Sequence, residues 1–423
     1  MEQHHHTEVK FSADILVVGA GIAGISTALE AAETGYSVIL IEKNPNVGGR
    51  VVQLNEYFPK LCPPTCGMEI NIRRLKDNSK INLITLATVD EINGEKGNYK
   101  VKIKEKPRYV TNRCTACNDC VEVCPVERPD EFNYGLNTTK AIYLPYNNAF
   151  PQKFVIDDSV CTMEECGKCV TACKYQAIDL NMKSQEYFVN VKSIVWATGW
   201  DPYDANKLDK LGFGTYPNVI TNVMMERLAA PNGPTEGKIE IPGVENIKKV
   251  AFVQCAGSRD ENHLEYCSSV CCMASLKQAH YIRERYEDAE IHIFYIDIRS
   301  PGFFEDFYRN VERDEKIFFH RGKIAKVFKN PDTDKLTVEA EDTLSNQLQQ
   351  MEFDLVVLAT GMQPTASKNG SPVKKYLDDN GFLSDNDEIV GCGVCSNPQD
   401  VATTVQEATG AAMKAVLNLM EGK

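Results

Sequence analysis

The sequence has no apolar run of the roughly 18 residues that a membrane-crossing helix needs, which speaks against direct membrane insertion. Its start, MEQHHHTEVKFSAD, has no apolar core of a signal peptide, so we expect no export and read His4 to His6 as a disordered leader. It has no excess of positive charge. Lysine and arginine number 46 against 59 aspartates and glutamates, a formal net charge of −13. A nucleic-acid-binding surface would need a basic face, so that class is set aside. No clear catalytic triad and no substrate-pocket signature can be read. A second glycine-rich phosphate loop is also missing where one is expected.

What the sequence has in abundance is cysteine: 16 in 423 residues. Without an export signal a disulfide framework is improbable, and clustered cysteines then point to metal ligation or redox chemistry. The length suggests two or three domains with a core large enough to need no covalent staples.

Residues 14–18 (DILVV) read as a buried strand that runs into Gly19-Ala-Gly21-Ile-Ala-Gly24, an alanine-rich helix and a second strand, VILIE, ending at Glu42. This is a βαβ dinucleotide fingerprint in its proper context. Gly19 permits the tight turn, Gly21 the approach of a pyrophosphate, and Gly24 the packing of helix on strand, while Glu42 is placed to accept hydrogen bonds from a ribose. Lys43 and the following Gly48-Gly49-Arg50 belong with this site. Ala-Thr-Gly occurs twice, at 197–199 and 359–361, each after an apolar strand, so Thr198, Gly199 and Gly361 are added as cofactor contacts. FAD is the expected cofactor here.

Between residues 107 and 183 the composition shifts to Cys, Pro, Asn and Lys, and strand patterning resumes afterwards. The segment contains Cys114-x2-Cys117-x2-Cys120-x3-Cys124-Pro and then Cys161-x4-Cys166-x2-Cys169-x3-Cys173. The first is the bacterial ferredoxin spacing. In it the fourth cysteine reaches the other cluster, which groups Cys114, Cys117, Cys120 and Cys173 against Cys161, Cys166, Cys169 and Cys124. Two [4Fe–4S] clusters are expected. The longer spacer and Lys174 in place of proline make the second run the less regular one. Further on, the strand KKVAFVQ leads not to a glycine loop but to Cys255, with Cys267, Cys271 and Cys272 downstream. Four cysteines there predict a third cluster in place of a nicotinamide site. For Cys62 and Cys66, and for Cys392 and Cys395, packing is the plainer reading, with a redox dithiol or half a cluster site as alternatives.

The fold class that follows is α/β: a thioredoxin-reductase-like flavoprotein with two dinucleotide-type domains and an inserted α+β ferredoxin domain. We divide the chain into 1–106 (FAD domain), 107–183 (ferredoxin insert), 184–246 (FAD domain strand and connection), 247–345 (degenerate nicotinamide-type domain) and 346–423 (FAD domain return).

Taken together, the passages GGRVVQLNEYFPKLC, VQCAGSRDENHLEYCSSVCCMASLKQA and IFYIDIRSPGFFEDFY resemble the A-subunit family of heterodisulfide reductases. Within it, YFPKLCPPTCGMEI, WATGWDPYD and NVMMERLAAPNGPT look most like the A subunits of quinone-interacting membrane-bound oxidoreductase complexes. The resemblance implies that Cys255, Cys267, Cys271 and Cys272 are the family's unusual cluster ligands. It implies an electron-transfer subunit in an oligomeric complex, with no complete reaction of its own. Its partners would be a sister flavin/iron–sulfur protein, a membrane quinone-reactive subunit fed by menaquinol, and adenylylsulfate reductase, in dissimilatory sulfate reduction. Its place would be the cytoplasm, membrane-associated only through a partner. The sequence departs from the full-length family in lacking the large terminal cluster domains. The alternatives are a heterodisulfide-reductase-like A subunit of another soluble complex, with electron bifurcation as an option, and an NAD(P)H-dependent iron–sulfur flavoenzyme.

Overall fold

The computed structural model describes residues 9–244, 246–343 and 347–421. The histidine leader and the 345/346 division lie outside the described residues.

The strands ILVV and VILIE are apolar at every position but Glu42, a pattern that demands cover on both faces. They receive it. A five-stranded parallel sheet runs in the order Ile389–Gly391, Ser193–Trp196, Ile15–Val18, Val38–Glu42, Ile81–Thr85. Helices Ile22–Glu33 and Val401–Glu421 cover one face, burying Ile25, Leu29 and Ala415 against Val17 and Leu40. A four-stranded sheet covers the other, where Tyr99, Val101, Ile103 and Val189 pack on Leu16 and Ile39.

That second layer contains the point of departure for residues 107–183. Strands Asn98–Glu105 and Gln185–Val191 are antiparallel neighbours, with Glu105 paired to Gln185. The intervening chain therefore leaves and returns at one place. It holds two short helices, Asp119–Glu122 and Lys168–Ala172, and a small core of Tyr109, Val110, Ile142, Phe154 and Ile156.

A second five-stranded parallel sheet runs Val219–Thr221, Leu355–Thr360, Lys249–Ala256, Glu290–Tyr295, Ile317–Arg321. Helices Asn222–Ala229, Cys271–Arg285 and Phe304–Glu312 lie on it, and a three-stranded antiparallel sheet (Ile324–Lys329, Leu336–Asp342, Gln347–Phe353) packs on the opposite face. This sheet reaches beyond residues 247–345 in both directions. The strand FDLVVLATG belongs to this sheet, between Val219–Thr221 and the central Lys249–Ala256, rather than to the first sheet, because Leu355–Leu358 pairs in register with Val250–Val253.

The two sheet units and the insert meet in a buried polar knot. Lys277 and Glu226, 2% and 4% exposed in their side chains, form an ion pair at 2.9 Å. Glu226 also accepts from the backbone N–H of Asn55 in the first unit, and Lys277 donates to the Glu56 carbonyl. Next to it the fully buried Arg227 donates to Asn133 in the insert and to the Gln53 carbonyl, its guanidinium lying over the Phe132 ring.

Candidate functional site

A cleft of about 550 Å³ opens at the carboxyl ends of the first sheet, within the usual ~300–1,000 Å³ of small-molecule sites. Its floor is the glycine turn. Gly19 has φ +101°, and a Cβ there would come within 2.5 Å of the Ala197 carbonyl oxygen. Gly24 does not line the cleft; a Cβ on it would sit 1.8 Å from the Gly19 oxygen, so its role is the close packing of helix on turn. Helix Ile22–Glu33 starts at Gly21 with no side-chain cap and no acidic residue in its first turn. Its first N–H groups and positive dipole end are thus left for a phosphate.

Glu42 is buried at the cleft edge. Its two oxygens accept from the N–H groups of Ala20 (2.8 Å) and Asn44 (2.9 Å). Burial pushes its carboxyl above the ordinary range, with those two N–H groups working against the rise. Lys43, Gly49, Arg50, Thr198 and Gly199 also line the cleft. The buried Thr198 hydroxyl has no protein partner. Arg50 donates to the Trp200 carbonyl, to Gln53 and to the Tyr134 hydroxyl, and pairs with Asp201. Gly361 lies elsewhere: it packs in the second unit against Ser258 and Ser268. The Ala-Thr-Gly at 359–361 ends a strand of the other sheet, so its repeat of the first tripeptide reflects the repeated fold and not a shared cleft.

A glycine cradle, an uncapped helix start, a buried carboxylate and an orphan hydroxyl are what a dinucleotide cofactor requires, and the residues present fit FAD. One wall was not anticipated. Arg128, Asp130, Phe132, Tyr134 and Tyr143, all from the cysteine-bearing insert, close one side of the cleft. The run of Arg, Phe and Tyr between the two cysteine clusters was the only signal that this stretch faces something flat and charged.

The insert places its cysteines around two small cavities. One is lined by Cys114, Cys117, Cys120 and Cys173, the other by Cys124, Cys161, Cys166 and Cys169. Helices Asp119–Glu122 and Lys168–Ala172 pack side by side, so the last cysteine of each run is carried to the other's cavity. Among the described residues no three His, Cys, Asp or Glu side chains gather as a single metal ion requires. A cubane binds each thiolate at a different iron, so a ring of cysteines around a cavity suits it. Burial pushes the Cys120 thiol up to about 12 and raises Cys169 as well. Such thiols ionise when a cation takes the charge.

In the second unit, strand Lys249–Ala256 carries Cys255 one residue before its end, with φ +56°. Helix Cys271–Arg285 begins with Cys271 and Cys272 in its first turn, where a nicotinamide-binding domain would present N–H groups to a phosphate. Cys255, Cys271 and Cys272 are buried and Cys267 is partly exposed, and burial pushes the thiols of Cys255, Cys271 and Cys272 up. Arg259, paired with Asp297 at 2.6 Å, stands beside Cys255. The remaining pairs divide: Cys62 and Cys66 are exposed, whereas Cys392 and Cys395 are buried, Cys395 donating to the Trp196 carbonyl at 2.9 Å.

The family described as FAD dependent oxidoreductase matches residues 14–51. Over all of its length the chain is 37% identical to the A subunit of the H(2):CoB-CoM heterodisulfide,ferredoxin reductase of Methanothermobacter thermautotrophicus, covering 66% of that protein. It is 38% identical to the iron–sulfur A subunit of the CoB–CoM heterodisulfide reductase of Methanocaldococcus jannaschii, covering 98% of this chain and 65% of that one. The chain belongs to the heterodisulfide reductase A-subunit family. It spans just under two thirds of the length of these curated relatives. Among solved structures, thioredoxin reductase of Lactococcus lactis matches with a TM-score of 0.54 at 14% identity, over 97% of this chain and 99% of that one. The thioredoxin reductase of T. acidophilum matches at 0.52 and 13%, with the same coverage. This heterodisulfide reductase A-type chain thus has the thioredoxin-reductase-like fold, and that likeness concerns the fold alone.

Proposed function

We propose that this chain is the FAD/iron–sulfur electron-transfer subunit of an oxidoreductase complex. The observation that carries this reading is the shared wall between cavity and cleft. Residues 124–126 and Ile142 line the second cysteine cavity, and Arg128 and Tyr143, two residues and one residue further along, line the flavin cleft. FAD, when bound, exchanges electron pairs for single electrons, which iron–sulfur centres relay. The chain's own residues hold and insulate: the glycine turn and helix start take the pyrophosphate, Glu42 the ribose, and Arg50 and Tyr134 fix the wall of the insert. The cysteine sets Cys114/Cys117/Cys120/Cys173, Cys124/Cys161/Cys166/Cys169 and Cys255/Cys267/Cys271/Cys272 hold three [4Fe–4S] clusters. No acid, base or nucleophile is required of the protein.

The second unit offers no glycine loop for NAD(P)H, and cysteines occupy that position. This supports a relay over a nicotinamide-dependent enzyme. For the partners, the relatives' names favour a heterodisulfide-reductase-type complex. Passages such as YFPKLCPPTCGMEI support the finer assignment to a quinone-interacting complex, in which electrons pass between menaquinol, through a membrane partner, and adenylylsulfate reductase. Among the described residues no helix is long and apolar enough to cross a membrane, so attachment in that assignment falls to the partner. The two assignments separate in one experiment. The complex is isolated anaerobically from its native source and its components are identified. A membrane quinone-reactive protein in it supports the finer reading, and soluble heterodisulfide reductase components support the broader one. A chain that purifies alone and oxidises NADH rapidly contradicts both.

A further inference from the structure

A second cavity, of about 430 Å³, lies away from the flavin cleft, where the insert joins the first unit. Its walls come from the end of strand Asn98–Glu105, the Thr85–Leu86 turn and both ends of the insert. In a chain of net charge −13, this cavity is lined by five cationic side chains, Lys10, Lys106, Arg108, Lys153 and Lys183, and one carboxylate, Glu105.

Glu105 is already engaged. It accepts from the Tyr187 hydroxyl at 2.8 Å and stands 3.8 Å from Lys10. Arg108 is the most enclosed of the cations, and its acceptors are all neutral: the Pro45 carbonyl, Thr85 Oγ1 at 2.8 Å and the Lys153 carbonyl at 3.2 Å. The Lys153 ammonium donates to Asn112 Oδ1, again a neutral oxygen. Burial brings the Arg108 guanidinium down to about 10, and burial followed by repulsion from Arg108 lowers Lys153. Lys10, Lys106 and Lys183 stand exposed around the cavity, whereas Arg108 and Lys153 are partly buried and have no carboxylate partner. Partly buried cations of this kind are costly unless an anion arrives from outside.

We infer that this cavity is a binding site for a polyphosphate anion, either inorganic or carried on an organic group. Several lysine ammoniums around one space suit a multiply charged phosphate, since each acts as a compact point charge, whereas a single carboxylate would answer only one of them. Phe11, Leu83 and Met182 add apolar wall on which an organic group can lie.

The test uses the purified chain with its flavin cleft loaded with FAD, titrated calorimetrically with pyrophosphate and, separately, with ADP. One saturable site that weakens as salt is raised is expected. Equal affinity for the two probes assigns the inorganic ion; tighter ADP binding assigns an organic phosphate. Lys153→Gln and Lys183→Gln, neither of which lines the flavin cleft, are each expected to weaken binding about tenfold or more, while the visible spectrum of the flavin stays unchanged. Arg108→Gln is the harsher variant, because Arg108 also ties down the Pro45 and Lys153 carbonyls. No saturable binding of either probe would overturn the inference. So would binding that both lysine variants leave intact.

Discussion

Replacing Lys277 by Met tests how the two sheet units are held at a fixed angle. Lys277 and Glu226 are almost sealed from solvent, and Glu226 is tied to Asn55 across the unit boundary. Removing one ion leaves the other buried without its counter-charge, which costs about 3–5 kcal/mol. In a unit of this size each kcal/mol moves the melting temperature by roughly 2–4 °C, so Lys277→Met and Glu226→Gln should each lower it by roughly 6–20 °C. The double variant removes both charges and keeps a neutral acceptor for Asn55. It should fall short of the summed single losses by about 1–3 kcal/mol, the coupling of groups in direct contact. Differential scanning calorimetry of the holoprotein reads all four forms of the cycle. Additive losses, or single losses under about 1 kcal/mol, would show that the pair carries no such energy and would refute the reasoning.

Other outcomes are equally open to measurement. Gly24→Ala places a methyl 1.8 Å from the Gly19 oxygen and should abolish tight FAD retention, read as loss of the flavin's visible absorbance on desalting at ~10-fold or greater release. Cys173→Ser should remove the cluster signal shared with Cys114, Cys117 and Cys120, whereas Cys124→Ser should remove the other; electron paramagnetic resonance of the reduced protein distinguishes the two. His292 is held near pKa 3 by burial, by Lys249 and by its stacked partner His320. Its folded pKa lies below the ordinary 6.5, so the stability it contributes is present above about pH 6.5 and is lost as pH falls from there towards 3. His292→Phe should flatten the pH dependence of the melting temperature between about pH 6.5 and 5.

How much of this could be read in the sequence differs from element to element. The first βαβ unit was legible because every glycine answers a local demand, as the 1.8 Å approach at Gly24 makes plain. The crossed grouping of the eight insert cysteines follows from two-residue spacers on short helices, and the structure brings the same sets to two cavities. The strand FDLVVLATG was harder to place. A fully apolar strand followed by Ala-Thr-Gly looks alike in either dinucleotide-type unit, and only the register with Lys249–Ala256 decides between them. The insert's wall on the flavin cleft and the Glu226–Lys277–Arg227 knot were not legible at all. They depend on residues that lie about 50 or more positions apart and carry no periodic signal. The cations around Arg108 belong to the same class, since single lysines and arginines read as surface until the walls around them are seen.

The central claim is that one flavin and three clusters share this chain, with cysteines standing where a nicotinamide site would be. It is tested most directly by anaerobic purification, a count of iron, sulfide and flavin per chain, and addition of NADH. The account predicts about one FAD and about twelve irons, with no bleaching of the flavin by NADH. About eight irons and rapid bleaching would mean that Cys255, Cys267, Cys271 and Cys272 hold no cluster and that the second unit still takes a nicotinamide.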